Sequence, residues 1–289
     1  MLSNKLIIYK LSLYIRWIFK LIDIIKNSIN TKNEDKVKIL MYHSIGGNLD
    51  LELDIDKNTF FKQIEYLQKK GEIISLEESL KYINKKAKKD DKKYYVLTFD
   101  DGYLNFYKNV FYELEKRSIP ATLFPALEFI EKPRNKPLIK VFTKNSWDNL
   151  NPISKSQLKE ISNSKLITIG SHGFSHRNYT QLTSLGINQD LQKANQWFEN
   201  VIEYLPEIFC YPMGHSNKLS EKIIKNQFSL GLKASYSGAA ISNYRKEAYP
   251  RLPILKSDGM FWFKLRIDGF LYSEHKIIRQ IINFLKIDK

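Results

Sequence analysis

The sequence predicts an α/β fold built on a parallel sheet. Three observations lead there. Apolar runs of strand length recur along the chain, segments with apolar residues at helical spacing separate them, and four of those runs end in polar residues able to do chemistry. With 289 residues, 43% hydrophobic and 27% charged, the chain can bury a substantial core and is globular in composition. Its one cysteine, Cys210, excludes an intrachain disulfide and a cysteine-based zinc cage.

The first element in chain order is "KLIIYKLSLYIRWIFKLIDIIKN", residues 5–27. Its longest charge-free stretch is far short of the ~20 apolar residues of a membrane span, and it lacks a secretory cleavage pattern. Lys5, Arg16, Lys20, Asp23 and Lys26 share one helical face, while Leu6, Leu11, Tyr14, Trp17, Ile18, Leu21, Ile22 and Ile25 fill much of the rest. The segment 1–35 is therefore expected to be a basic amphipathic helix, either packed on the domain or lying on an anionic membrane surface. The remaining 36–289 is expected to form one catalytic domain.

Within that domain "VKILMYH" is a strand. Phe60, Ile64 and Leu67 mark a helix, capped at Asn58 or Thr59 and stopped at Gly71. A lysine-rich stretch (Lys81, Lys85, Lys86, Lys88, Lys89, Lys92, Lys93) reads as a solvated linker before the strand "YYVLTF". Phe106, Val110 and Leu114 give the next helix, ended by Pro120, and "ATLFPA" the next strand. Residues 131–157 read as a long loop or lid carrying Trp147. A helix to Asn163, the strand "LITIG", a helix from Gly186 to Tyr204, the strand "IFCYP", a helix over Leu219–Phe228, a strand near "LKASYS" and the amphipathic "HKIIRQIINFLKI" follow. Such alternation gives a parallel sheet, open or closed into a barrel, with ligands at the carboxyl ends of the strands.

Those ends are where the chemistry collects. The first strand ends at His43, the next at Asp100 and Asp101, "LITIG" at Ser171 and His172 with His176 four residues on, and "IFCYP" at Met213, Gly214 and His215. Four of the five histidines lie at these ends or a turn away. Two adjacent carboxylates repel and need a cation if buried. Two imidazoles and one carboxylate make an open, catalytic metal site, and the second carboxylate can then accept a proton. The net charge of +15 admits nucleic acid, an anionic membrane or an acidic glycan as partners, but no nucleic-acid recognition motif accompanies it, so nucleic acid is not expected.

"TFDDGY" (98–103), "GSHGFSH" with Asn178 (170–178) and "FCYPMG" (209–214) resemble three motifs of the polysaccharide deacetylases, carbohydrate esterase family four. "ILMYHSI" (39–45) and "RLPI" (251–254) are similar to the branch with poly-N-acetylglucosamine deacetylases. The resemblance spans residues 36–255 and implies an irregular (β/α) barrel of about seven strands. It further implies metal-dependent removal of acetyl groups from a sugar. Asp100 becomes the general base, and Asp101, His172 and His176 the ligands of a divalent metal. Zinc suits these ligands, as do cobalt, nickel or iron. Tyr211, Pro212, Met213 and Gly214 line the groove, with the Met213 backbone N–H a donor to the oxyanion. The arginine that the family's third motif usually carries is absent, and Arg251 is the candidate replacement. The usual C-terminal histidine motif is absent too. His43 takes the role of general acid, ahead of His215, and His275 is a bystander. Trp147, Tyr103 and Trp262 could stack on a sugar face, but aromatics in an α/β core mostly fill volume, and that is the reading favoured for each. The expected substrate is an acetylated hexosamine of an envelope polysaccharide or its lipid-linked precursor, handled in the cytoplasm of a bacterial-type cell at the inner membrane, with periplasm or cell surface as the alternative. O-deacetylation, deformylation and non-catalytic glycan binding are the competing functions.

Overall fold

The computed structural model describes residues 17–25, 35–49, 51–83, 92–132, 151–234 and 245–271. Ten strands are present among them: β1 (Val37–Tyr42), β2 (Ser44–Ile45), β3 (Asp54–Ile55), β4 (Glu72–Ile73), β5 (Tyr94–Asp101), β6 (Ala121–Pro125), β7 (Ile167–Ile169), β8 (Ile208–Cys210), β9 (Leu230–Ala234) and β10 (Tyr249–Pro253). Seven of them form a curled parallel sheet in the order β7-β6-β5-β1-β10-β9-β8. Followed around, that is chain order, β1-β5-β6-β7 and then β8-β9-β10 back to β1, as in a (β/α) barrel. β1 and β5 form the longest seam, in register from Val37↔Tyr94 to Tyr42↔Phe99. β4 pairs beside the amino half of β5, and β6 takes over that side at the carboxyl half. The edges β7 and β8 meet through one isolated bridge, Ser171↔Phe209, in which the Ser171 N–H donates to Ile208 O and the Cys210 N–H to Ser171 O.

The period of two along β5 divides the interior. Tyr95, Leu97 and Phe99 pack outward on the helices with Phe60, Ile64, Leu67 and Phe106. Val96 points the other way, with Val37, Ile39, Phe124, Ile208, Leu230 and Tyr249. Thr98 and Asp100 continue that inward series. At Thr98 and above, the barrel interior turns polar, because β10 contributes Arg251 to the same layer: its Nη1 donates to Thr98 Oγ1 at 3.0 Å.

Most elements lie where periodicity places them. The helix Lys57–Lys70 is capped two residues before the nearer expected position: Asp56, not Asn58 or Thr59, accepts from the Thr59 N–H. The expected helix from Gly186 runs Ser184–Ile202, its cap being Thr183. β10 and the helix Phe261–Ile267 were not legible as elements. Trp147 and the rest of 133–150, most of the lysine-rich stretch, and the amphipathic segment with His275 lie outside the described residues.

Residues 17–25 form a helix, and it sits on the domain by its charged stripe. Lys20 and Asp23 are buried, and Lys20 Nζ lies 2.8 Å from Asp258 Oδ1, a carboxylate also held by Arg266 at 2.8 Å. Among the described residues, no helix is long and apolar enough to cross a membrane.

Candidate active site and metal centre

In a regular strand, Asp100 and Asp101 would point to opposite faces of the sheet. The backbone resolves this. Asp101 takes a left-handed φ of 71° and Gly102 follows at 72°, so the alternation stops at the strand end. Such a conformation is unfavourable for a side-chain-bearing residue and persists where surrounding contacts enforce it. Its effect is that Asp100 faces the barrel interior and Asp101 faces the loop after β7.

Arg251 grips Asp100 with both terminal nitrogens, Nη1 to Oδ1 and Nη2 to Oδ2, each at 2.6 Å, and both residues are buried. Burial alone would push the Asp100 carboxyl up; the facing guanidinium outweighs it and holds the group below its ordinary value. Arg251 Nη2 also lies 2.9 Å from Cys210 Sγ. Burial pushes the Cys210 thiol well up, against the pull of Arg251, so it stays protonated.

Asp101 Oδ1 is buried and forms no hydrogen bond, yet His176 Nε2 lies 3.2 Å away and His172 Nε2 3.7 Å away. Burial would raise its carboxyl, but His176 and His172 bring it well below the usual range. His172 Nδ1 sits 2.7 Å from the carbonyl oxygen of Cys210. A carbonyl can only accept, so Nδ1 carries the proton and Nε2 presents its lone pair. An orphaned carboxylate oxygen facing imidazole nitrogens, one of them fixed in the ligating tautomer, is a donor set suited to a divalent cation. Asp100, His172 and Cys210 also cluster. That group is a poorer metal holder: Arg251 occupies both Asp100 oxygens and the thiol is protonated, whereas a ligand must be a thiolate.

Sequence reasoning missed what shapes the loop between the histidines. Asp190, buried on the helix Ser184–Ile202, accepts from the backbone N–H groups of Phe174 at 2.9 Å and Ser175 at 3.1 Å, from Ser175 Oγ at 2.5 Å and from Tyr179 OH at 2.9 Å. Gly173 makes the turn with φ 69°, and a Cβ there would fall 2.6 Å from Asp190 Oδ2. An acidic residue in mid-helix carries no sequence sign of this role. Asn178 caps the following turn through the Thr180 N–H.

His43 stands at the end of β1 with its Nδ1 buried and without a hydrogen-bond partner. Burial holds its pKa below the ordinary value, with Asp101 and Asp100 pulling the other way. Of the four groove residues, Met213 is exposed, with a left-handed φ of 59°, whereas Tyr211, Pro212 and Gly214 are buried. The Tyr211 ring belongs to the core and its hydroxyl donates to Glu247 O at 2.7 Å, so it offers no surface to a sugar. Tyr103 and Trp262 fill core volume and present no face to a sugar. Tyr103 is buried edge-on to Phe129, and Trp262 is buried against Trp17 and Lys20.

The family model for polysaccharide deacetylases matches residues 87–234, just over half of the chain. The chain belongs to the polysaccharide deacetylase family. The Bacillus subtilis (strain 168) protein YxkH is 25% identical over 213 residues, covering 73% of this chain and 69% of that protein. The poly-β-1,6-N-acetyl-D-glucosamine N-deacetylase of Escherichia coli K12 is 24% identical over 157 residues, 45% of this deacetylase and 23% of that enzyme. Among solved structures, IcaB from Ammonifex degensii superposes with a TM-score of 0.63 at 21% identity, covering 80% of this chain and 98% of that one. The Streptococcus pyogenes deacetylase PplD, in complex with acetate, gives 0.61 at 19% identity, covering 78% and 96%. These likenesses support the barrel described above.

Proposed function

We propose that this deacetylase removes N-acetyl groups from hexosamine residues of an envelope polysaccharide or its lipid-linked precursor, with a divalent metal, zinc foremost, held by Asp101, His172 and His176. The observation that carries the reading is the pairing of two carboxylates in two environments. Asp100 is clamped by Arg251 and kept ionised, while Asp101 turns to the imidazoles. The relationship to the Escherichia coli N-deacetylase of poly-β-1,6-N-acetyl-D-glucosamine supports the N-acetyl hexosamine class.

When bound, the ion would act as a Lewis acid on the acetyl carbonyl and acidify water beside it. The rest falls to the chain. Asp100, ionised at neutral pH and unable to rotate in the Arg251 fork, accepts the proton from the attacking water. The backbone around Met213, turned outward by its left-handed conformation, is the candidate donor to the oxyanion. The amine must leave with a proton. His43, the expected acid, is mainly neutral at neutral pH because burial holds it down. It therefore has to receive a proton during the cycle, whereas Asp100 already holds one after the attack and can return it directly.

Acetate release from β-1,4- and β-1,6-linked N-acetylglucosamine oligomers and from a lipid-linked N-acetylhexosamine, with formate measured in parallel, tests the reading. Asp100→Asn is expected to lower kcat by about 10²–10⁴-fold, and chelation to abolish turnover until zinc is restored. His43→Asn separates the two proton routes: retention of most of kcat assigns the acid role to Asp100, and a loss comparable to that of Asp100→Asn assigns it to His43. Turnover indifferent to chelator and to Asp100→Asn would overthrow the proposal.

A further inference from the structure

A helix that simply packs on a domain buries its apolar stripe and leaves its charges in water. The helix at 17–25 does the reverse. Lys20 and Asp23 are buried, whereas Trp17 (55% exposed), Ile18 (56%), Leu21 (41%), Ile22 (37%) and Ile25 (65%) face outward. The inward side is fixed by Asp258, which holds Lys20 and Arg266 together, and by the Trp262 ring, whose centre lies 5.1 Å from Lys20 Nζ. Phe261, 66% exposed, extends the apolar face: Trp17 and Phe261 both pack edge-on against Trp262. Six large apolar side chains exposed together mark an interaction surface rather than the scattered exposure normal for a monomer.

The patch lies toward the catalytic end of the barrel. The segment before Phe261 is tied to the connection that leaves β1: the Lys256 N–H donates to Glu52 O and Lys256 Nζ to Leu49 O, both at 2.7 Å. That connection starts at the carboxyl end of β1, the end that carries the site.

We propose that this face docks on an anionic lipid bilayer, the helix lying in the headgroup region with Trp17 and Phe261 at the interface. Charge complementarity selects this occupant. The chain carries +15, and, leaving out the buried Lys20 and Asp23, residues 1–35 contribute five basic side chains (Lys5, Lys10, Arg16, Lys26, Lys32) against two acidic ones (Glu34, Asp35). Anionic headgroups attract a chain of that charge, whereas a second copy of the chain would bring one +15 body against another. Tryptophan and phenylalanine beside leucine and isoleucine are the side chains an interfacial helix uses. The proposal does not depend on the substrate assigned above.

The test is co-sedimentation of the full chain with phosphatidylglycerol-containing vesicles and with pure phosphatidylcholine vesicles at fixed salt. The parent is expected to bind the anionic vesicles, and at least about tenfold more tightly than the neutral ones. The double variant I18E/I25E, and separately F261E on a different element, should each weaken binding by about tenfold or more while keeping the parent's thermal midpoint and its acetate release from a soluble oligomer. If the parent does not pellet with anionic vesicles, or both variants pellet as it does, the proposal is overturned. A concentration-dependent dimer in sedimentation velocity, dissolved by I18E/I25E, would overturn it too by making the face a subunit contact. An inactive protein that still binds vesicles would defeat the substrate reading alone.

Discussion

At the scale of single residues, the Asp100–Arg251 pair decides whether the proposed base works. A buried bidentate pair is not by itself stabilising compared with apolar packing, but removing one partner strands the other charge. Arg251→Met should therefore destabilise the fold by about 3–5 kcal/mol. Asp100→Asn/Arg251→Met should recover part of that while remaining inactive, because it removes the stranded carboxylate. Arg251→Lys keeps the charge but loses the planar fork; with Asp100 free to swing, kcat should fall by about a hundredfold with a much smaller change in stability. Denaturant unfolding and acetate-release kinetics on the four proteins check this, and an Arg251→Met protein as stable as the parent would show that the pair is not electrostatically coupled. Arg251 was legible in the sequence as a replacement for an arginine absent from another motif. What was not legible is that Cys210 stands beside it.

At the scale of elements, the proposed metal ligands are only as well placed as the loop that carries them. His172 is fixed from across the β7–β8 seam by Cys210 O, and His176 from beneath by Asp190, through the backbone of Phe174 and Ser175. Asp190 touches neither metal nor substrate in this arrangement and acts as a positioning residue. Asp190→Asn keeps the side-chain size but replaces one acceptor oxygen with a donor, facing N–H and O–H groups that are themselves donors. Zinc affinity measured by titration calorimetry should fall by about 10–100-fold. Saturating zinc should restore much of kcat while the KM for the glycan stays near the parent's. Equal zinc affinity in both proteins would leave Asp190 a purely structural acid. The histidine pair could be read from spacing and from its neighbour at a strand end. Asp190 could not, because two of its four hydrogen-bond partners are backbone groups sixteen and fifteen residues away, and side-chain chemistry in sequence does not reveal backbone partners.

At the scale of the molecule, the barrel was legible because its strands are buried on both faces and read as near-continuous apolar runs, as β5 does from Tyr95 to Phe99 with Thr98 the single polar residue. β10 escaped because Tyr249–Pro253 carries two prolines and an arginine, which look like a loop until Arg251 is seen to be a functional insertion into the barrel. The direction of the amino-terminal helix escaped because a helical wheel shows which residues share a face, but not which face a partner such as Asp258 will claim. The sheet is also uneven around its circumference. β1 and β5 share six residue pairs in register, while β7 and β8 are joined by the Ser171–Phe209 bridge. That weak seam is where the proposed metal site lies, with His172 directly after Ser171 on one side and its carbonyl partner Cys210 on the other. The amides of Ser171 and Cys210 should therefore exchange with solvent through local opening well before those of β1 and β5, which should report global unfolding. Zinc bound through His172 would tie the loop after β7 to the mouth of the barrel and oppose that opening. Hydrogen exchange with and without zinc should show protection rising at Ser171 and Cys210 far more than at Leu97 or Leu40. Uniform protection around the barrel in the zinc-free protein would mean that the seam is as strong as the rest of the sheet, and that the site owes its position to the strands alone.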